Sequence, residues 1–524
     1  MQFSELPPEI IHEILIACVR SRHIQRALRL RHVSRAWDVA VVRAVFASGV
    51  LDDDPYCIFI EWPRYLAYRA TGSAARRIGW PRPFFVLRRV AERLVDRRDA
   101  GSGGDPGDDA VDDCVGELCA TMEPGSAFRM PPGFKPSVGD PRRPDDEPTS
   151  EDDDQLLQAL LSVAAARNDV AFVKDLLQKV HDRPRLVYSN EYPGLDDNPN
   201  MDMELTMSPR PLFRYPLEEA AFAGHDESVH VLLDFMSATS DDEAAYRAKE
   251  SVFWDACRGG QLSTLEIVFE SMREVCTEWD ELLMGTMDEV ADVGVFKRLY
   301  SSDTDFIDAE KSEDEESKDE LLCRYLCLAA RKGAMPLMEH LIELGATPEN
   351  PVRSGGSDQE DPLDQEDSLD QEDPLDEAVT GGHTEAVTYL LEKGFRPRDY
   401  SRTNDNDCLI GAVDWDNPRL VELILLHLNR ESPNFGKHLV GSLEMAMQRE
   451  NERILSMLLT FGSTAFTDKA IRKVMYHAET LGLDSMAHFL QGYLPADDND
   501  LLLAPLPSTG SESSGSDIES SGSE

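Results

Sequence analysis

Apolar positions in this chain recur as pairs of short helical stripes. From Pro374 to Phe395, Leu375 and Ala378 share one stripe, Gly382 and His383 interrupt it, Val387, Leu390 and Leu391 form a second, and Gly394 ends the second. Spacings of three and four residues place such groups on one helix face. Pro374 suits a first helical turn, where its missing N–H has no partner to lose. The glycines stop helices because they reach positive φ without a Cβ penalty. The predicted unit is two short helices lying back to back.

The same offsets return from Pro216, through Leu217, Ala220, Gly224, His225, Val229, Leu232 and Leu233. With the inter-helix residue as a phase marker, weaker copies centre on Asn168, Gly260, Gly333, Asp416 and Glu450, and the faintest on Ala291 and Gly482. Markers at 168, 224, 260, 291, 333, 382, 416, 450 and 482 lie between 31 and 56 residues apart, and the long gaps read as insertions. A helix pair this small cannot dry its own apolar face, so the copies are expected to stack. The pattern of Pro-Leu, Ala, Gly-His, Val and Leu-Leu resembles the ankyrin repeat, whose period is about 33 residues. The resemblance implies a mainly α fold, an ankyrin-repeat solenoid of helical hairpins over residues 155–494, with acidic inserts at 181–211, 303–320 and 351–373. The last insert holds a thrice-repeated Asp-Gln-Glu-Asp-Pro/Ser-Leu hexapeptide, read as a solvated loop or as a lure for a basic partner.

Residues 1–50 carry two helical runs, one through Ile10, Ile11, Ile14 and Leu15 and one through Ile24, Leu28, Leu30, Val33 and Trp37. A module this small is expected to dock onto something. The leucine-proline start, Leu6-Pro7-Pro8-Glu9-Ile10, followed by Val33-Ser34 and Trp37, resembles an F-box. It departs from that pattern between Arg20 and Arg26, which replace the common apolar and acidic link. The resemblance implies that Leu6, Pro7, Pro8, Ile10, Ile14, Leu28, Val33 and Trp37 contact a Skp-type adaptor of a cullin–RING ubiquitin ligase. The competing reading is a small helical cap. Chains that join an F-box-like segment to ankyrin repeats resemble a filamentous-fungal type.

Charge divides the chain. Acidic residues outnumber basic ones by 99 to 52, a net of −47, which argues against non-specific binding to nucleic acid or anionic membrane. Residues 1–100 instead hold 17 Arg, no Lys and 11 acids, a net of +6, so the remainder carries −53. Residues 51–98 interleave arginine with aromatics and read as a basic helical extension packed on the N-terminal helices, with RNA stacking as the alternative. Residues 99–154, rich in Gly, Pro and Asp, are expected to be a disordered acidic linker reaching on the order of 40 Å. Residues 495–524 read as a disordered serine-acid tail in which Ser514, Ser516 and Ser521 each precede an acid by three.

Intracellular placement, cytoplasmic or nuclear, is expected from the acid-bearing N-terminus, the lack of a run approaching the roughly 20 apolar residues of a membrane span and an odd count of nine cysteines. Neither Cys114 with Cys119 nor Cys323 with Cys327 has the Cys-x-x-Cys spacing or a second pair to complete tetrahedral coordination, and no metal or cofactor is expected. No phosphate loop, zincin or nucleophile-elbow motif occurs, so no enzyme is read. His225 and His383 follow inter-helix glycines and are read as turn stabilisers. In the ankyrin family partners lie on a concave face, which the resemblance maps to Arg167, Phe222, Arg258, Arg331, Lys332, Trp415 and Arg449. That row implies a protein partner with acidic or phosphorylated groups, unless its cations merely complement helix C-termini. The functional expectation is a substrate receptor for a ubiquitin ligase, and the alternative is an ankyrin scaffold or sequestering protein.

Overall fold

The computed structural model describes residues 6–21, 30–33, 35–48, 50–53, 62–71, 82–99, 108–121, 153–188, 213–276, 279–307, 318–347, 373–397, 408–432, 435–463 and 465–494. Among these residues every regular element is helical, so the fold is mainly α. No described helix is long and apolar enough to cross a membrane. The chain forms two compact units, Met1–Arg396 and Pro397–Glu524, divided inside the segment expected to be one array.

The first unit opens with α1 (Pro8–Ser21) packed on α2 (Arg35–Ser48). Leu15 and Val19 of α1 and Val41, Ala44 and Val45 of α2 are buried. Next come α3 (Trp62–Ala70), α4 (Arg82–Asp99) and α5 (Asp108–Thr121), each packed on the other two. The basic, aromatic extension is thus partly core: Tyr65 and Phe84 are buried, and the Phe46 and Tyr65 ring centroids are 5.4 Å apart. Tyr56, Phe59 and Trp80 lie outside the described residues.

Helix α5 corrects the expectation that 99–154 is a disordered linker throughout. Val111, Cys114, Val115 and Leu118 are all buried, and their spacing of three, one and three is a helical stripe. The surrounding Gly, Pro and Asp diluted that stripe in a compositional reading. Arg88 ties α5 to α4 through Asp108 at 3.0 Å and Asp112 at 2.9 Å. Helix α4 in turn packs against the first helix of the repeat region. The expected flexible tether therefore contains a packed helical bridge.

Helix pairs follow. In the first unit they are α6 (Asp154–Ala166) with α7 (Val170–Lys179), α8 (Pro216–Ala223) with α9 (Asp226–Thr239), and α10 (Asp242–Arg258) with α11 (Leu262–Val275). They continue as α12 (Trp279–Met287) with α13 (Val293–Ile307), α14 (Lys318–Lys332) with α15 (Met335–Leu344), and α16 (Pro374–Thr380) with α17 (Thr384–Glu392). First helices abut first helices, α6 on α8, α8 on α10, α10 on α12 and α14 on α16, while second helices abut in the series α7, α9, α11, α13, α15. The second unit repeats the scheme with α18 (Cys408–Asp414) and α19 (Pro418–His427), α20 (Phe435–Gln448) and α21 (Glu452–Phe461), and α22 (Asp468–Thr480) and α23 (Asp484–Gln491).

Eight of the nine phase markers adopt left-handed backbone: Asn168, Gly224, Gly260, Gly333, Gly382, Asp416, Glu450 and Gly482, with φ between 52° and 73°. Ala291 does not. The bend there uses Asp292, whose Oδ1 accepts from the N–H groups of Gly294 and Val295. Four residues before each left-handed marker stands an alanine, from Ala164 to Ala478, and all eight are at most 1% exposed. A methyl group at that position lets neighbouring first helices approach closely.

The inserts are shorter than expected where they can be followed. Residues 181–188 continue in order, with Leu186, Val187 and Tyr188 buried, and the 303–320 insert is trimmed by α13 up to Ile307 and by α14 from Lys318. The rest of 181–211 up to its last residue, residues 308–317, residues 351–372 and the tail 495–524 lie outside the described residues.

Candidate partner-binding surfaces

On the N-terminal helices, a buried face and an outward apolar face coexist. Leu15 and Val19 are buried, whereas Ile10 is 47% and Ile14 37% exposed on α1, and Val39 is 56% exposed on α2. Ile10 and Ile14 are one turn apart and therefore neighbours on the helix surface. Pro7 and Pro8 are exposed just ahead of them, and Leu6 and Trp37 are half-buried. Val33 sits in the 3-10 turn Leu30–Val33, which packs on α2. Leu28 lies outside the described residues. Val39 was missed in the sequence because the F-box pattern ends at Trp37.

The row expected to line a concave face is divided between the units. In the first unit Arg167 follows the end of α6, with its guanidinium 3.8 Å from Glu117 of α5. Phe222 lies beneath Arg214, whose guanidinium carbon is 4.2 Å from the ring centroid. Arg258 is exposed at the end of α10. Arg331, 62% exposed, is 3.7 Å from Glu377 of α16. Lys332 donates to the backbone oxygen of Asp288 and stands 3.4 Å from Glu289, so it staples α14 to the preceding turn. Burial, the dominant influence, pushes the Lys332 pKa down, while Glu289 and Asp288 pull it up and Arg258 lowers it slightly. Burial likewise pushes the Asp288 carboxyl up, against the opposing pull of Arg324 at 2.8 Å.

In the second unit Trp415 is 52% exposed one residue before the left-handed Asp416, and Arg449, in the equivalent position before Glu450, pairs with Asp414. Leu481, at the same register position before Gly482, is 44% exposed, and Tyr476 is 54% exposed on α22. Both were missed, although the register that selected Trp415 and Arg449 also selects Leu481.

Four of the five cations in the expected row thus face carboxylates supplied by other helices or, for Lys332, by the turn after α12. The contacts at 3.7 and 3.8 Å exceed hydrogen-bond length, and exposed pairs of this kind contribute about 0–1 kcal/mol.

The two histidines act between pairs. His225 Nε2 donates to the Ala166 carbonyl at 2.9 Å, and His383 Nε2 to the Arg331 carbonyl at 3.1 Å. Each acceptor lies two residues before the preceding left-handed marker. The imidazole therefore satisfies a helix-end carbonyl of its neighbour. Buried cysteines serve the core: desolvation lifts the Cys119 thiol to about 12 and raises Cys114 and Cys257, which keeps these thiols protonated and poorly nucleophilic. No family model matches this chain, and no curated protein matches its sequence.

Proposed function

We propose that the protein is a non-enzymatic substrate receptor, in which residues 1–50 are an F-box-like dock for a Skp-type adaptor and ankyrin-type helix pairs hold the protein to be ubiquitinated. The docking half rests on one observation: Ile10, Ile14 and Val39 face outward from helices whose opposite faces are already packed. Aliphatic groups held in water on a small helical module gain roughly 25 cal/mol for each Å² that a partner covers. The ankyrin assignment is supported by the recurrence of one turn geometry, a left-handed residue at eight of nine markers with a buried alanine four residues earlier. Its contribution to ubiquitination is proximity, since a receptor of this kind brings target and ligase together and performs no bond chemistry.

Co-purification of the full chain with a Skp-type adaptor tests this reading. Wild type is expected to retain the adaptor, and Ile10→Asp with Ile14→Asp to lose it while keeping wild-type helicity, because Ile10 and Ile14 are not core residues. A wild-type chain that retains no adaptor, or a charged variant that retains it undiminished, defeats the ligase reading and leaves the scaffold alternative.

A further inference from the structure

Where the N-terminal bridge meets the first helix pair, a cleft of about 270 Å³ opens between the end of α4 and the α6–α7 turn. Its apolar surface is Leu94, Ala164 and Phe172, of which the first two are buried. Its polar surface is Arg97, Arg98 and Arg167 against the single acid Asp169. Glu117 and Asp175, outside the lining, also lie within 4 Å of these arginines, so three guanidinium groups are answered by three carboxylates, only one of which lines the cleft.

Partners inside and outside the lining hold these arginines unequally. Arg98 makes a direct bond to Glu117 at 2.9 Å. Arg167 shares that same carboxylate from 3.8 Å. Arg97 lies over the Phe172 ring at 4.2 Å and reaches Asp169 and Asp175 only at 3.5 and 3.6 Å. One oxygen of Asp169 is engaged in capping α7 through the Phe172 N–H. Arg97 is therefore held by a ring and Arg167 by a side-chain hydrogen bond to Cys114, and the carboxylate contacts of both are at or beyond the limit of a hydrogen bond. A guanidinium in that condition gains from an oxyanion it can grip with two N–H groups. The volume lies just under the roughly 300–1,000 Å³ that encloses drug-sized ligands, so the occupant is small.

We propose that this cleft binds a small organic oxyanion, a phosphate monoester or a carboxylate on a short apolar body, with its head between Arg97 and Arg167 and its body on Leu94, Ala164 and Phe172. Because α4 supplies one wall and the first helix pair the other, occupancy also strengthens the seating of the N-terminal bridge on the repeats. The site is independent of the adaptor reading and stands or falls without it.

Titration calorimetry and thermal shift on the full chain test the proposal, with phenyl phosphate, phenylacetate and inorganic phosphate as probes at matched ionic strength. Phenyl phosphate or phenylacetate is expected to saturate below about 1 mM, raise the unfolding midpoint and exceed inorganic phosphate in affinity by about tenfold, and whichever binds tighter fixes the head group. Arg97→Gln with Arg167→Gln is expected to weaken binding at least about tenfold. Arg167→Lys, which keeps the charge and loses the fork, is expected to weaken it about threefold and serves as the arbiter should the double variant misfold. Failure of both organic probes to saturate below about 10 mM overturns the proposal. So does affinity in either variant equal to wild type.

Discussion

At Gly333 there is no room for a side chain. A Cβ built there lies 2.6 Å from Nδ1 of His383, and its φ of +66° is a region that L side chains adopt only with strain. Gly333→Ala is expected to destabilise the first unit by more than about 2 kcal/mol, the left-handed backbone contributing about 1–2 and the displaced imidazole the rest, read as a lower thermal midpoint. At Glu450, φ is +53° on a residue with a Cβ. Glu450→Gly is expected to stabilise the second unit by about 0.5–1 kcal/mol, less than the full left-handed penalty because glycine loses more chain entropy on folding. An unchanged or lower midpoint contradicts this. Both positions were legible in the sequence as phase markers, although Asn168, Asp416 and Glu450 carry no glycine signature. They were found by counting from the flanking alanines and leucines. Ala291 shows the limit of such counting, since its apolar offsets fit but its turn is built differently.

Helices in this protein are joined by polar residues that serve two of them at once. Asn451 caps α21 by accepting from the Ile454 N–H at 2.9 Å and donates to Asp416 of the preceding turn at 2.5 Å. Asn451→Ala removes both bonds and is expected to cost about 1–2 kcal/mol, checked by chemical denaturation of the full chain. Lys332 makes a related staple with a pH signature. Its pKa is lowered from the ordinary 10.5, chiefly by burial, so the folded state releases this proton more easily than the unfolded state does. Stability opposed by the buried charge is recovered as pH rises from the lowered value towards 10.5. Wild type is therefore expected to gain on Lys332→Gln in that alkaline interval, and parallel midpoint curves for the two proteins would falsify the assignment. The residue and its helix-terminal position were readable in advance. Its partners were not, because Asp288 and Glu289 lie more than 40 residues away along the chain and come close only through stacking.

For the whole molecule, the net charge of −47 implies self-repulsion that local ion pairs do not remove. Raising sodium chloride from about 0.01 M to about 0.15 M shortens the screening length from about 30 Å to about 8 Å. The thermal midpoint is expected to rise by a few degrees over that range, and a fall would mean that attractive pairs such as Arg298 with Glu266 and Glu270 outweigh the repulsion. Screening should at the same time weaken an oxyanion in the cleft beside Arg97, so ligand tests and stability tests respond to salt in opposite directions. By itself the sequence determined the helix pairs, the phase of their turns and the apolar stripes, since all of these depend on side chains three or four residues apart. Only the tertiary structure decided that α5 joins the bridge, that most of the expected cationic row is answered by carboxylates distant along the chain, and that arginines from two separate segments surround one cleft. Those arrangements depend on which helix surfaces meet, and spacing along the chain does not encode that distance.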